Sequence, residues 1–292
     1  MNMKQIFKAR RRVQMRSALV LTFGAAVLCA LGRLAGGLPA AGAGLALGAL
    51  CTQLAFGGAA YLGLCVLDGD HRHILPMRHL SREQLLFLSL TGVLAVCPAA
   101  LAADLSDALF GLRETGAAGA LPIGLFTAQL VKSAVLVPIC EEIFFRGYLL
   151  HAFRRVGDVR ASAAVTLCFA LMHTVSPGTL AAHGLLGALL CLLTLKTGSL
   201  LAPVVVHASY NAALLVLGYA GLGALFAGWS LAACVVRLLG CAAFMAALQR
   251  AYRARGVNMV FELWPQGALK KREMALLAAA GVLLLAIMVA GG

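Results

Sequence analysis

Apolar runs long enough to cross a bilayer recur along this chain, with the basic residues gathered in the short segments between them. A helix needs roughly 20 predominantly apolar residues to span the hydrocarbon layer. Inside that layer every backbone N–H and C=O must find a partner, so only helices and closed barrels can cross it. Continuous apolar runs of this length specify helices rather than alternating strands. The expected fold is therefore an all-α polytopic membrane protein, a helical bundle.

Composition agrees with this reading and excludes others. Of 292 residues, 62% are hydrophobic and 12% are Asp, Glu, Lys or Arg, about half the charged share of a soluble domain. The net charge of +13 would suit a nucleic-acid binder. The positive residues sit in short connectors, however, and no large polar domain presents a phosphate-binding face. The nine cysteines (29, 51, 65, 97, 140, 168, 191, 234 and 241) fall almost entirely within apolar segments without CxxC spacing. They read as small buried hydrophobes.

Nine membrane segments are expected, over 17–37, 43–67, 84–103, 121–150, 161–177, 179–196, 200–218, 223–248 and 273–290. The fifth and sixth are short and separated mainly by Ser176, Pro177 and Gly178, so seven full spans would preserve most of the charge pattern. Lys4, Lys8, Arg10, Arg11, Arg12 and Arg16 resemble a signal-peptide n-region. The long span after them favours a retained first helix with the N-terminus in the cytoplasm. Arg72, Arg78 and Arg82, then Arg154, Arg155 and Arg160, then Lys196, then the cluster Arg250 to Arg272 fall on alternate connections. The loop 104–120, with Asp104, Asp107, Arg113 and Glu114, has no basic excess and is expected outside. The 32 glycines suit close helix packing in lipid.

Within these apolar segments a few polar residues stand out. Glu141 and Glu142 are adjacent, with Arg146 four residues after the second. Carboxylates in hydrocarbon are costly unless paired, hydrated or protonated. Helical spacing puts Glu142 and Arg146 on one face, and turns Glu141 about 100° away. Glu142 can then be neutralised while Glu141 faces water. Two adjacent carboxylates also disfavour full ionisation of the pair, which suits a group that takes up a proton. The same residues would serve equally as a buried ion-pair lock between helices.

Phe169 and His173 lie one turn apart in the next polar-marked segment, and His207 and Asn211 one turn apart in another. His173 can hold water or a metal, or bond a neighbouring helix. His207 and Asn211 can hold a carbonyl oxygen as charge develops on it, or make a packing hydrogen bond. Glu141, His173 and His207 are also zinc-ligand types, although no HExxH motif is present. His183 reads as an ordinary interhelical or pore-facing residue. Pro138 can open its helix locally, and Gln129 and Lys132 can line an access route.

Glu141-Glu142-Ile-Phe-Phe-Arg146, Phe169-Ala-Leu-Met-His173 and His207-Ala-Ser-Tyr-Asn211 together resemble the EExxxR, FxxxH and HxxxN motifs of the CAAX prenyl protease and bacteriocin-processing family, called CPBP or Abi. The resemblance covers about 121–218 and implies a core of about four membrane helices. It divides the chain into N-terminal membrane helices over 1–120, a catalytic core over 121–218, and C-terminal helices over 219–292 with a basic cytoplasmic loop at 249–272.

The resemblance implies an intramembrane endopeptidase. By motif, Glu141 is the base that activates water, His173 helps position it, and His207 and Asn211 stabilise the oxyanion. Glu142, Arg146 and Phe169 support them. The family has been described as metalloprotease-like and is also associated with a metal-independent glutamate mechanism; the latter is the expectation here, with zinc as the alternative cofactor. The expected partners are membrane lipids and a membrane-associated peptide or protein, lipidated or not, with no nucleic acid. The expected location is a bacterial inner membrane. A proton-coupled transporter or channel and a non-catalytic immunity or scaffold protein are the competing readings.

Overall fold

The computed structural model describes residues 17–29, 53–66, 74–111, 123–173, 176–226 and 228–253. The expected span 273–290, the basic N-terminal run and most of the loop 249–272 lie outside the described residues. Among the described residues the protein is all-α, with one isolated bridge between Met77 and Ser199 and no sheet. Its helices are α1 (Ser17–Cys29), α2 (Leu54–Cys65), α3 (Arg82–Leu94), α4 (Val96–Leu109), α5 (123–153), α6 (Asp158–His173), α7 (Pro177–Thr197), α8 (Leu201–Tyr219) and α9 (Leu231–Arg253). Four stretches among the described residues are long and apolar enough to cross a membrane: Arg82–Leu109, Pro177–Thr197, Leu201–Tyr219 and Leu231–Arg253. The chain is a multi-pass membrane protein.

The helix ends follow local chemistry. The Ser81 hydroxyl accepts from Gln84 N–H at 3.1 Å, and the Gln84 side chain accepts from Ser81 N–H at 3.0 Å. This reciprocal capping box fixes the start of α3. Pro98 has no N–H, and its ring crowds the carbonyl four residues back; the helix accordingly breaks at Ala95, between α3 and α4. Pro177 opens α7 at its first position. Gly198, at φ 60°, ends it in the left-handed region.

Helix α5 is continuous but not uniform. Residues Lys132–Leu136 and Ile143–Leu149 are π-helical, each a place where the i→i−4 ladder slips to i→i−5. Val137 N–H accordingly donates to Lys132 O, and Leu150 N–H to Phe145 O.

The chain divides into two compact units, with the boundary inside α5 between Ile139 and Cys140. The first unit holds α1, α2, the end of α5 and α6. Its core is aromatic: Phe56 lies 5.8 Å from Phe144 and 5.3 Å from Phe145, and Phe145 meets Phe169 edge-on at 5.2 Å. Gly63 leaves the room that the Tyr148 ring fills, since a Cβ there would come within 2.5 Å of it.

The second unit holds α3, α4, the start of α5, and α7 to α9. Helix α3 approaches α8 so closely at Gly92 that a Cβ would lie 2.4 Å from Val206 O and 2.7 Å from Ser209 Cβ. Alanine in place of glycine usually stabilises a helix interior by about 0.5–1 kcal/mol. Here the clash is with backbone, so Gly92→Ala is expected to destabilise the protein by about 1–3 kcal/mol. A lower midpoint of thermal unfolding in nanodiscs checks this; a raised midpoint would mean that the helices separate freely.

Two acidic residues expected in an outward loop belong to α4 instead. Asp104 is ion-paired with Arg237 of α9. Asp107, 8% exposed, accepts from Gly178 N–H at 2.8 Å and so caps the start of α7. Partners on neighbouring helices let α4 continue to Leu109 past the apolar run that the sequence marks. Arg237 is 1% exposed, also donates to Ala233 O at 3.2 Å, and lies 5.4 Å from the Trp229 ring. It is the single charged residue within 223–248, the signal that sequence reading passed over.

Candidate active site

The first unit gathers Glu141, Glu142, Arg146, Phe169 and His173. Glu142 accepts from Arg146 Nη1 at 2.9 Å, with both side chains fully buried. The guanidinium also lies 4.4 Å from the Phe169 ring centre and 5.7 Å from that of Phe145. Burial of this charge thus comes with a carboxylate and aromatic faces, the two environments that a guanidinium tolerates without water.

Glu141 is 3% exposed and His173 is half-buried. His173 Nε2 stands 3.6 Å from Glu141 Oε2. On the other side of the ring Nδ1 is 2.7 Å from Phe169 O. A carbonyl only accepts, so Nδ1 carries a hydrogen and donates it. In the neutral ring Nε2 would then present a lone pair towards a carboxylate oxygen. The two atoms attract only if the pair holds a further proton, on imidazole or on carboxyl. A buried carboxyl beside a half-buried imidazole is the kind of arrangement that can pass a proton once the two close to hydrogen-bond distance. Phe169 supplies both the carbonyl that sets the tautomer and a ring 4.4 Å from the imidazole.

The second unit holds His207, Asn211, His183, Gln129, Lys132 and Pro138. His207 is 2% exposed on α8. Asn211 is half-buried one turn later, and its Nδ2 donates to Ser133 O of α5 at 2.7 Å. This backbone acceptor has no signature in a list of side chains, so sequence reading did not find it. His183 Nδ1 lies 2.8 Å from Thr179 O of its own helix. Gln129 and Lys132 are half-buried on α5.

Glu141 and His173 supply two donors of the kinds zinc takes. Among the described residues, no group of three or more His, Cys, Asp or Glu converges as a metal-ligand set; a catalytic zinc site draws three protein ligands.

Residues 123–213 match the family described as type II CAAX prenyl endopeptidase Rce1-like. Comparison with curated proteins gives no match, and neither does comparison with solved structures. The matched stretch contains the buried ion pair, the Glu141–His173 pair, His207 and Asn211. The chain thus carries, over 123–213, a membrane protease-like domain similar to the Rce1-like CAAX endopeptidases.

Proposed function

We propose that the protein is an intramembrane endopeptidase that hydrolyses a peptide bond in a membrane-associated protein or peptide. The observation that carries this reading is the buried Glu141 carboxylate 3.6 Å from the half-buried His173 imidazole, within a region similar to a peptidase family. Glu141 is the base that takes a proton from water. His173, its tautomer set by the Phe169 carbonyl, orients that water and relays the proton to the leaving amine. His207 and Asn211 donate to the oxygen that becomes negative when water adds to the peptide carbonyl. Glu142 and Arg146 hold the helix turn that presents Glu141.

The motif set further supports placing the core in the CPBP family. The name of the matched family supports a substrate near a prenylated or otherwise lipidated end. The basic connectors support a cytoplasmic N-terminus. Water activation by a carboxylate needs no other group in this scheme.

The test is cleavage of a lipidated and an unlipidated peptide library by the purified protein in nanodiscs. His207→Ala is expected to lower kcat by about 100-fold or more, the usual effect of losing an oxyanion donor, while the protein still folds. Equal cleavage by the variant would remove His207 from the reaction. Stringent chelation, with bound metal quantified, is expected to leave the rate unchanged; loss of activity restored by zinc would assign the water to a metal instead.

A further inference from the structure

Asn211 bonds a carbonyl that has lost its usual partners. In an α-helix Ser133 O would accept from Val137 N–H, but that N–H donates to Lys132 O. In the π register it would accept from residue 138, which is proline and has no N–H. Both usual intrahelical donors to Ser133 O are therefore removed, one by the π slip and the other by the proline. Ser133 is half-buried, and a carbonyl left in this state in a membrane needs a partner from outside its own ladder, such as a neighbouring helix. Asn211 Nδ2 satisfies it at 2.7 Å.

The consequence for the carboxamide is orientational. A carbonyl acceptor can face only the NH2 side of asparagine. Ser133 O thus fixes which edge of Asn211 points to α5, and leaves the second N–H and Oδ1 for other partners. We propose that Pro138 is a positioning residue: by withholding an N–H from Ser133 O, it makes that carbonyl the anchor that sets the Asn211 carboxamide for oxyanion stabilisation. The inference rests on the peptidase reading for its catalytic half, and on the geometry alone for the anchor.

Pro138→Ala tests it. Alanine restores the N–H at 138 and is the best helix former, so the variant is expected to fold; Pro138→Leu restores the same N–H if alanine does not. The chain has three asparagines, at positions 2, 211 and 258, so 15N-asparagine labelling gives a sparse side-chain amide spectrum. The Asn211 NH2 signal, assigned by its loss in Asn211→Ala, is expected to shift in Pro138→Ala as the hydrogen bond to Ser133 O is lost.

In kinetics, Pro138→Ala is expected to lower kcat about tenfold, the weight of one misplaced hydrogen bond, with KM within about twofold. In an Asn211→Ala background the same change is expected to alter kcat by less than about twofold, because coupled residues do not add. An unmoved Asn211 amide signal would overturn the anchor. A shifted signal with full additivity in kcat would confine Pro138 to packing. A shifted signal in a parent protein that cleaves no peptide would overturn the peptidase reading and the catalytic half with it, while the anchor stood.

Discussion

Glu141→Gln is expected to abolish peptide cleavage while leaving the protein folded. Glutamine keeps the size of the side chain but removes both the negative charge and the proton acceptor. Positioned general bases contribute about 10²–10⁴ in rate. Loss of Glu141 also leaves the His173 imidazole without the carboxylate that stands 3.6 Å from its Nε2, so the upper end of that range is expected. The measurement is kcat on a cleaved peptide in nanodiscs, with size-exclusion behaviour and thermal unfolding as controls. Persistent cleavage by a folded Glu141→Gln protein would sink the assignment of Glu141 as base. Cleavage lost together with the fold would point to an ion-pair lock instead.

Arg146→Ala is expected to have the largest effect on stability. Arg146 and Glu142 have no exposed side-chain surface, and they are joined at 2.9 Å. Removing one partner of a buried pair leaves the other as an uncompensated charge, at a cost of about 3–5 kcal/mol. Stacking of the guanidinium against Phe169, 4.4 Å away, is lost as well. The prediction has a sharper second half. Replacing both members, as Glu142→Leu with Arg146→Met, is expected to recover most of the loss, since an apolar pair of similar volume is often no worse than a buried ion pair. Thermal unfolding of the two variants in the same nanodiscs decides it. If the double replacement is as unstable as Arg146→Ala, the pair contributes specific bonds that packing cannot replace.

What the sequence made legible was local. Glu142 and Arg146 meet because four residues make about one helical turn, and the same spacing brings the His173 ring against Phe169 and its carbonyl. These relations need no knowledge of the fold. The approach of His173 to Glu141 is tertiary, and motif resemblance alone brought the two together beforehand. Hydropathy located the four long apolar stretches among the described residues but not their ends: α4 runs on to Leu109 and α9 to Arg253, past the expected limits of 103 and 248. Hydropathy reports which residues meet lipid, whereas helical hydrogen bonding continues wherever charged side chains find partners. Asp104 with Arg237 is the case in point. The π stretches of α5 and the Ser133 carbonyl were invisible for a further reason. They are properties of the backbone, and Pro138 marks only that something near it must change.

Each π stretch accommodates one residue more than a regular helix of the same rise would hold. Helix α5 is in that sense a spring wound with two spare links, at Lys132–Leu136 and Ile143–Leu149. Deleting a single residue from the first would let the coil close into even turns without severing it. Side chains on both sides of the cut would keep their faces, because the π stretch already takes up the roughly 100° that one extra residue adds. The spacing of all three motifs would be untouched, and Glu141 would look out as before. The same deletion from an even α turn of this helix has no slack to draw on and would swing every later side chain by about 100°.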